Sequence, residues 1–175
     1  MKNLFGLRPF LITALVLSVA VIGCKKDNTE INPSSGSSVE GTWKMSAIKA
    51  SPAIDLGSGQ KFTDLFDLFG AFPDGRQIVS CLKETKITFQ KSGKVTTATS
   101  AVCKSVDDVG LSVQDNSTWK VQGSKIILTD SDGTNEYDLS VNGSVMKWSV
   151  VADDDWMGNG KAIRYTYTIE FLRQM

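Results

Sequence analysis

Histidine is absent from all 175 positions, and that gap removes several chemistries at once. A Ser-His-Asp or Cys-His catalytic pair would have no base, a zinc site could draw no imidazole ligand, and no imidazole is present to act as a pH switch. A surplus of positive charge is missing too. Lys+Arg and Asp+Glu stand at 19 each, so the chain has no basic footprint for nucleic acid. Long apolar runs are also lacking. The longest, Phe10 to Ile22, is broken by Thr13 and Ser18 and falls short of the roughly 18 residues a bilayer-spanning helix needs.

That short run follows a basic start with Lys2 and Arg8, the layout of a signal-peptide core. It ends in Val21-Ile22-Gly23-Cys24, which resembles the lipobox of bacterial lipoproteins. The resemblance implies that residues 1–23 are removed and that Cys24 is lipidated on sulfur and then acylated as the new N-terminus. Several acyl chains anchor a protein stably where one does not, so a membrane is an expected partner through Cys24. Lys25 and Lys26 follow where an aspartate would retain the protein at the inner membrane; the expected location is the outer membrane. Residues 24–38, with Pro33 and Ser34-Ser35-Gly36-Ser37-Ser38, have the composition of a flexible tether. Residues 39–175 form the expected domain, slightly acidic once Lys2 and Arg8 are gone.

With Cys24 committed to lipid, Cys81 and Cys103 remain as a pair in an exported chain, and a disulfide is expected. They lack the Cys-x-x-Cys spacing of a redox motif and have no imidazole to activate a thiol.

Val, Ile and Thr dominate the domain and lean it toward strands. Eight segments alternate apolar and polar residues: Thr42 to Lys49, Thr85 to Gln90, Lys94 to Ser100, Thr118 to Gln122, Lys125 to Thr129, Glu136 to Val141, Val145 to Val151 and Arg164 to Leu172. Gly93, Gly123, Gly133 and Asn142-Gly143 mark hairpin turns between them. Short hairpins and one-faced strands exclude a parallel sheet. The expected fold is all-β: an eight-stranded antiparallel up-and-down barrel, closed on itself so that no edge is left bare. One helix is expected between strands 1 and 2, over Phe62 to Phe72, with Thr63 as its cap and Pro73 ending it. Its phenylalanines require it to pack on the barrel or cover its mouth.

Gly41-Thr42-Trp43 resembles the glycine-any-tryptophan motif that opens lipocalin barrels. The wider pattern is similar to the lipocalin-like lipoproteins of Bacteroidota: the lipobox, the Ser-rich tether, Gly41-Thr42-Trp43-Lys44, a helix of the Thr63-Asp64-Leu65-Phe66 kind, and Cys81 before Thr88-Phe89 with its Ser92-Gly93 turn. Ser117-Thr118-Trp119-Lys120 and a closing Tyr165-Thr166-Tyr167 strand complete it. The resemblance spans Val39 to Met175, without the second and third lipocalin motifs or a long C-terminal helix. It implies a barrel that holds a small hydrophobic molecule, and an arginine from the chain end, here Arg173, packed across Trp43.

Trp119, Tyr137, Trp148, Tyr165 and Tyr167 fall on inward strand faces, and Phe66 and Phe69 lie on the helix. Together they are the candidate ligand-binding residues, against the alternative that they fill the barrel as core. Asp153-Asp154-Asp155 could offer oxygens to calcium, but consecutive side chains do not converge without a turn; Asp130, Asp132 and Glu136 read as a hairpin turn. No metal, cofactor or catalytic centre is expected, and the protein reads as a monomeric, non-enzymatic binder. The rival reading is an envelope interaction or inhibitor module that presents the Ala152 to Ala162 loop with Trp156 at its tip.

Overall fold

A computed structural model describes residues 38–175 except 58 and 106–112. The signal segment, Cys24 and nearly all of the tether lie outside the described residues. Among those described, no helix is long and apolar enough to cross a membrane.

Nine antiparallel strands form one sheet: β1 (Gly41–Asp55), β2 (Lys61–Asp64), β3 (Lys86–Phe89), β4 (Val95–Ala98), β5 (Thr118–Gln122), β6 (Lys125–Thr129), β7 (Thr134–Asn142), β8 (Val145–Asp154) and β9 (Ile163–Arg173). Eight of them run in the order β4-β3-β1-β9-β8-β7-β6-β5, and β2 is an extra strand on the far half of β1. The two ends of that row meet at a short seam. Lys94 bridges Thr118, the Val95 amide donates to the Ser117 carbonyl (2.8 Å), and the Trp119 amide donates to the Gly93 carbonyl (2.8 Å). The result is the expected up-and-down barrel, nearly closed, with its apolar faces inward.

The first strand carries one irregularity with a functional consequence. Met45 pairs with Phe171 of β9 but Ala47 pairs with Glu170, so Ser46 is an inserted bulge residue. Beyond it the alternation shifts by one. Ile48 pairs with Ile169 and shares the inward face of Met45 and Phe171. An unbroken alternation through Trp43, Met45 and Ala47 would put Ile48 on the outside; it is buried.

The helical region departs further from expectation. Phe62 is in a strand, paired with Ile54, and the helix α1 covers only Leu65–Gly70. Asp64, not Thr63, caps it: its Oδ1 accepts from the Phe66 amide at 2.9 Å and from the Ile48 amide at 3.4 Å. Asp64 Oδ2 meets Lys49 Nζ at 2.9 Å. A buried carboxylate with that many donors is satisfied, and it ties β1, β2 and α1 at one corner. Lys49 is held protonated to higher pH by its hydrogen bond to Asp64.

Pro73 opens a second helix, α2 (Pro73–Glu84), rather than only ending the first. Its fixed φ and missing N–H suit the first helical position. Gly75 is buried where α2 crosses the end of α1, and a Cβ there would stand 2.0 Å from the Phe69 carbonyl oxygen. Cys81 of α2 is disulfide-bonded to Cys103, in a 3-10 turn Ala101–Ser105 that follows β4. The bond fastens α2 to the segment that follows β4.

Candidate functional site

The two ends of the barrel differ. At the end where β1 begins and β9 finishes, Trp43 is fully buried and its Nε1 donates to the Val39 carbonyl at 2.8 Å. The Arg173 guanidinium lies 4.2 Å above the indole ring and donates to the carbonyls of Ser38 and Glu40, each at 2.6 Å. Gly41 makes room for it. A Cβ at Gly41 would sit 2.7 Å from Arg173 Nη1, and the residue's φ of +120° is one that only glycine adopts freely. This end is plugged.

Above the plug the interior is layered. Met45, Met146 and Phe171 are buried next, and then Trp148, whose ring contacts Phe89, Tyr137 and Phe171 at centroid distances of 5.7, 5.5 and 4.5 Å. The Trp148 indole N–H has no acceptor among the described residues.

Beyond Trp148, toward the opposite end, the packing opens into a cavity of about 270 Å³. Ala50, paired with Tyr167, is seven residues along β1 from Trp43, or about 23 Å at strand rise. The wall is formed by Ile48 of β1, Tyr137 of β7, Val150 of β8, and Tyr167 and Ile169 of β9. Leu65 and Phe69, one helical turn apart on α1, cover it. Asp154 and Trp156, at the end of β8 and the start of the following loop, complete the lining.

Of the seven aromatic residues singled out from sequence, Phe69, Tyr137 and Tyr167 line this cavity. The other four do not. Trp119 packs edge-on against Phe89 beside the barrel seam and donates to the Gln90 carbonyl at 3.0 Å. Trp148 is core beneath the cavity. Tyr165 is buried and stacks on Tyr167 with centroids 5.7 Å apart. Phe66 is on another face of α1, under Lys83 Nζ of α2 at 5.0 Å.

The rival interaction-module reading requires Trp156 at an exposed loop tip. The residue folds back instead, half-buried, with its ring 6.5 Å from Phe69 and its Nε1 donating to the Tyr167 hydroxyl at 2.8 Å. Tyr167 in turn donates to Asp154 Oδ2 at 2.7 Å. Burial, and then the bond to Asp154, push the Tyr167 phenol well above its ordinary value. Burial likewise raises Tyr137, with Asp130 adding to it. Both phenols are therefore neutral hydrogen-bonding groups at physiological pH.

The three consecutive aspartates diverge. Asp153 faces Arg164 at 4.0 Å, Asp154 accepts a hydrogen bond from the Tyr167 hydroxyl, and Asp155 accepts from the amides of Asn159 and Gly160 in its own loop. Asp130 likewise accepts from the amides of Asp132 and Gly133 in a hairpin turn. Among the described residues no group of acids or cysteines is arranged to hold a metal ion.

Sequence reasoning missed Ile48, Leu65, Val150, Asp154, Trp156 and Ile169 as cavity residues. The bulge at Ser46 hid the first. A tryptophan in a loop rich in Asp, Gly and Asn is itself a signal, because so large a ring is seldom left wholly in water.

An eight-stranded up-and-down barrel, plugged at one end and hollow at the other, defines a class of small ligand-holding barrels. The model of the lipocalin-like domain family matches residues 39–148, and the chain belongs to that family. Its members are in general binding proteins rather than enzymes. No curated protein and no solved structure matches the chain significantly.

Proposed function

We propose that this protein is a lipid-anchored envelope lipoprotein whose barrel binds a small hydrophobic molecule without transforming it. The observation that carries the binding is the cavity beneath α1. Six strand residues, two helix residues and Trp156 line it, and four of the nine lining side chains are aromatic. A barrel packed to density would leave no such space. Convergent polar groups are few, the usual composition of a pocket that recognises an apolar body.

Organic extraction of the full-length protein purified in mild detergent, followed by mass spectrometry, tests the binding. A small apolar species is expected to copurify with the wild type and to be lost from a Val150→Trp variant that fills the cavity. Equal recovery from both, or nothing from either, contradicts the reading. The anchor is supported by the Val21-Ile22-Gly23-Cys24 sequence; cells fed an alkyne fatty acid should label the wild type and not Cys24→Ala.

The interaction-module reading relied on an exposed Trp156. With that ring folded onto Phe69 and bonded to Tyr167, the observation favours the pocket.

A further inference from the structure

The cavity is apolar, but its one charged lining residue is an acid. Asp154 contributes a carboxylate whose Oδ2 is taken by Tyr167, while among the described residues Oδ1 has no partner. No lysine or arginine lines the space. Of the cations on the strands that form the wall, Arg164 pairs with Asp153, Lys49 with Asp64, and Lys147 with Glu170. The neighbouring acids are committed as well, Asp153 to Arg164 and Asp155 to its own loop amides.

A fatty acid or other anionic amphiphile would have to bring its charge beside Asp154 with nothing to neutralise it. At a partly buried site, like charges a few ångströms apart repel with little solvent screening. A cation meets the opposite situation. It finds a free carboxylate oxygen and the rings of Phe69, Tyr137, Trp156 and Tyr167, whose π faces attract positive charge. The Trp156 and Tyr167 hydroxyl and indole protons are already spent on the Trp156-Tyr167-Asp154 chain. What remains for a ligand's polar end is therefore the Asp154 carboxylate oxygen and the uncharged Tyr137 hydroxyl, a set that can balance a positive charge but not a negative one. The volume, about 270 Å³, is at or below the small end of ligand pockets, and it suits a single ring with a short arm.

We propose that the pocket selects a small amphiphilic amine, its apolar body under α1 and its ammonium group on Asp154 Oδ1. This rests on the pocket binding proposed above, and it assigns the chemical class of what is bound.

Three probes with one carbon skeleton separate the possibilities: 2-phenylethylamine, 2-phenylethanol and phenylacetate, titrated calorimetrically into full-length protein in mild detergent. The amine is expected to bind at least about tenfold more tightly than phenylacetate and severalfold more tightly than the alcohol, with a preference that shrinks as salt rises. Asp154→Asn, which can still accept from Tyr167, is expected to collapse the amine-to-alcohol ratio toward one. Equal binding of amine and alcohol by the wild type, or tightest binding of phenylacetate, overturns the amine assignment and leaves an apolar pocket standing. A ratio unchanged in Asp154→Asn overturns the role of that carboxylate. If none of the three binds, the pocket reading falls with it.

Discussion

Arg173 joins the two ends of the described chain through one side chain. Its planar guanidinium stacks on Trp43 while two of its N–H groups reach the carbonyls of Ser38 and Glu40. Replacing it with alanine removes a cation-π contact and two charge-assisted hydrogen bonds and leaves the Trp43 ring uncovered. The expected loss is about 2–4 kcal/mol of unfolding free energy in urea. Arg173→Lys keeps the charge but not the fork, and should recover less than half of that loss. A loss below the precision of the measurement would mean the plug is ornamental. Tyr167 gives a second residue-level expectation. Its phenol is raised above the ordinary value near 10, so the neutral form is preferred in the fold. That contribution is complete below about pH 10 and is lost only as pH rises through the folded value. The chain has three tyrosines. An ultraviolet titration should show phenolate absorbance from Tyr137 and Tyr167 appearing late, and Tyr167→Phe should delete the latest component. Deletion of a component that titrates near pH 10 would contradict the buried Tyr167–Asp154 bond.

At the scale of elements, the contact between α1 and α2 has no room to spare. Gly75 meets the Phe69 backbone where any side chain would collide, and Phe69 is also part of the cavity cover. Gly75→Ala is expected to cost about 1–3 kcal/mol by overpacking and to weaken ligand binding as α1 shifts. A variant as stable as the wild type would show that the two helices are not packed at this point. Nothing in the sequence announced this contact. The segment Pro73 to Glu84 is mostly polar, with only Ile78, Val79 and Leu82 as a short apolar stripe, and a proline at its head reads equally as an end or a beginning. The strands were far more legible. Period-2 alternation with glycine at the turns located all eight barrel strands to within a few residues, because each exposes one face to water and buries the other. β1 was cut short at Lys49, since its continuation to Asp55 follows a bulge that reverses the alternation. The same reversal concealed Ile48, so the candidate site was read with its β7, β9 and helix aromatics but without its β1 wall. Three strand aromatics, Trp119, Trp148 and Tyr165, join the sequence-read pocket because alternation gives the inward face of a strand, not the depth along the barrel, and Phe66 joins it because spacing alone does not say which face of α1 meets the cavity. Trp119 and Trp148 face inward and still lie outside the hollow part.

For the whole molecule, the plug and the cavity divide one barrel into a part that holds the fold and a part that can hold something else. The described chain enters at Ser38, against Arg173, at the plugged end, so the cavity lies at the opposite end of the barrel from Ser38. The disulfide acts at this scale, because it fixes α2, and through it the packing beneath the cavity cover, to the segment after β4. Its loop spans 22 residues of separation, for which chain entropy gives about 3 kcal/mol of stabilisation. A Cys81→Ala, Cys103→Ala double variant should unfold at correspondingly lower urea while keeping its strand circular-dichroism signal. An unchanged midpoint would mean that the crosslink adds nothing to the fold. The central claim is that the hollow end of the barrel binds a small apolar molecule. Methyl-resolved NMR of the full-length protein, titrated with 2-phenylethanol, tests it directly. Saturable shifts are predicted at Ile48, Leu65, Val150 and Ile169, with the exposed methyls of Ile163 and Leu172 unmoved. Shifts confined to exposed methyls, or none at all, would contradict it.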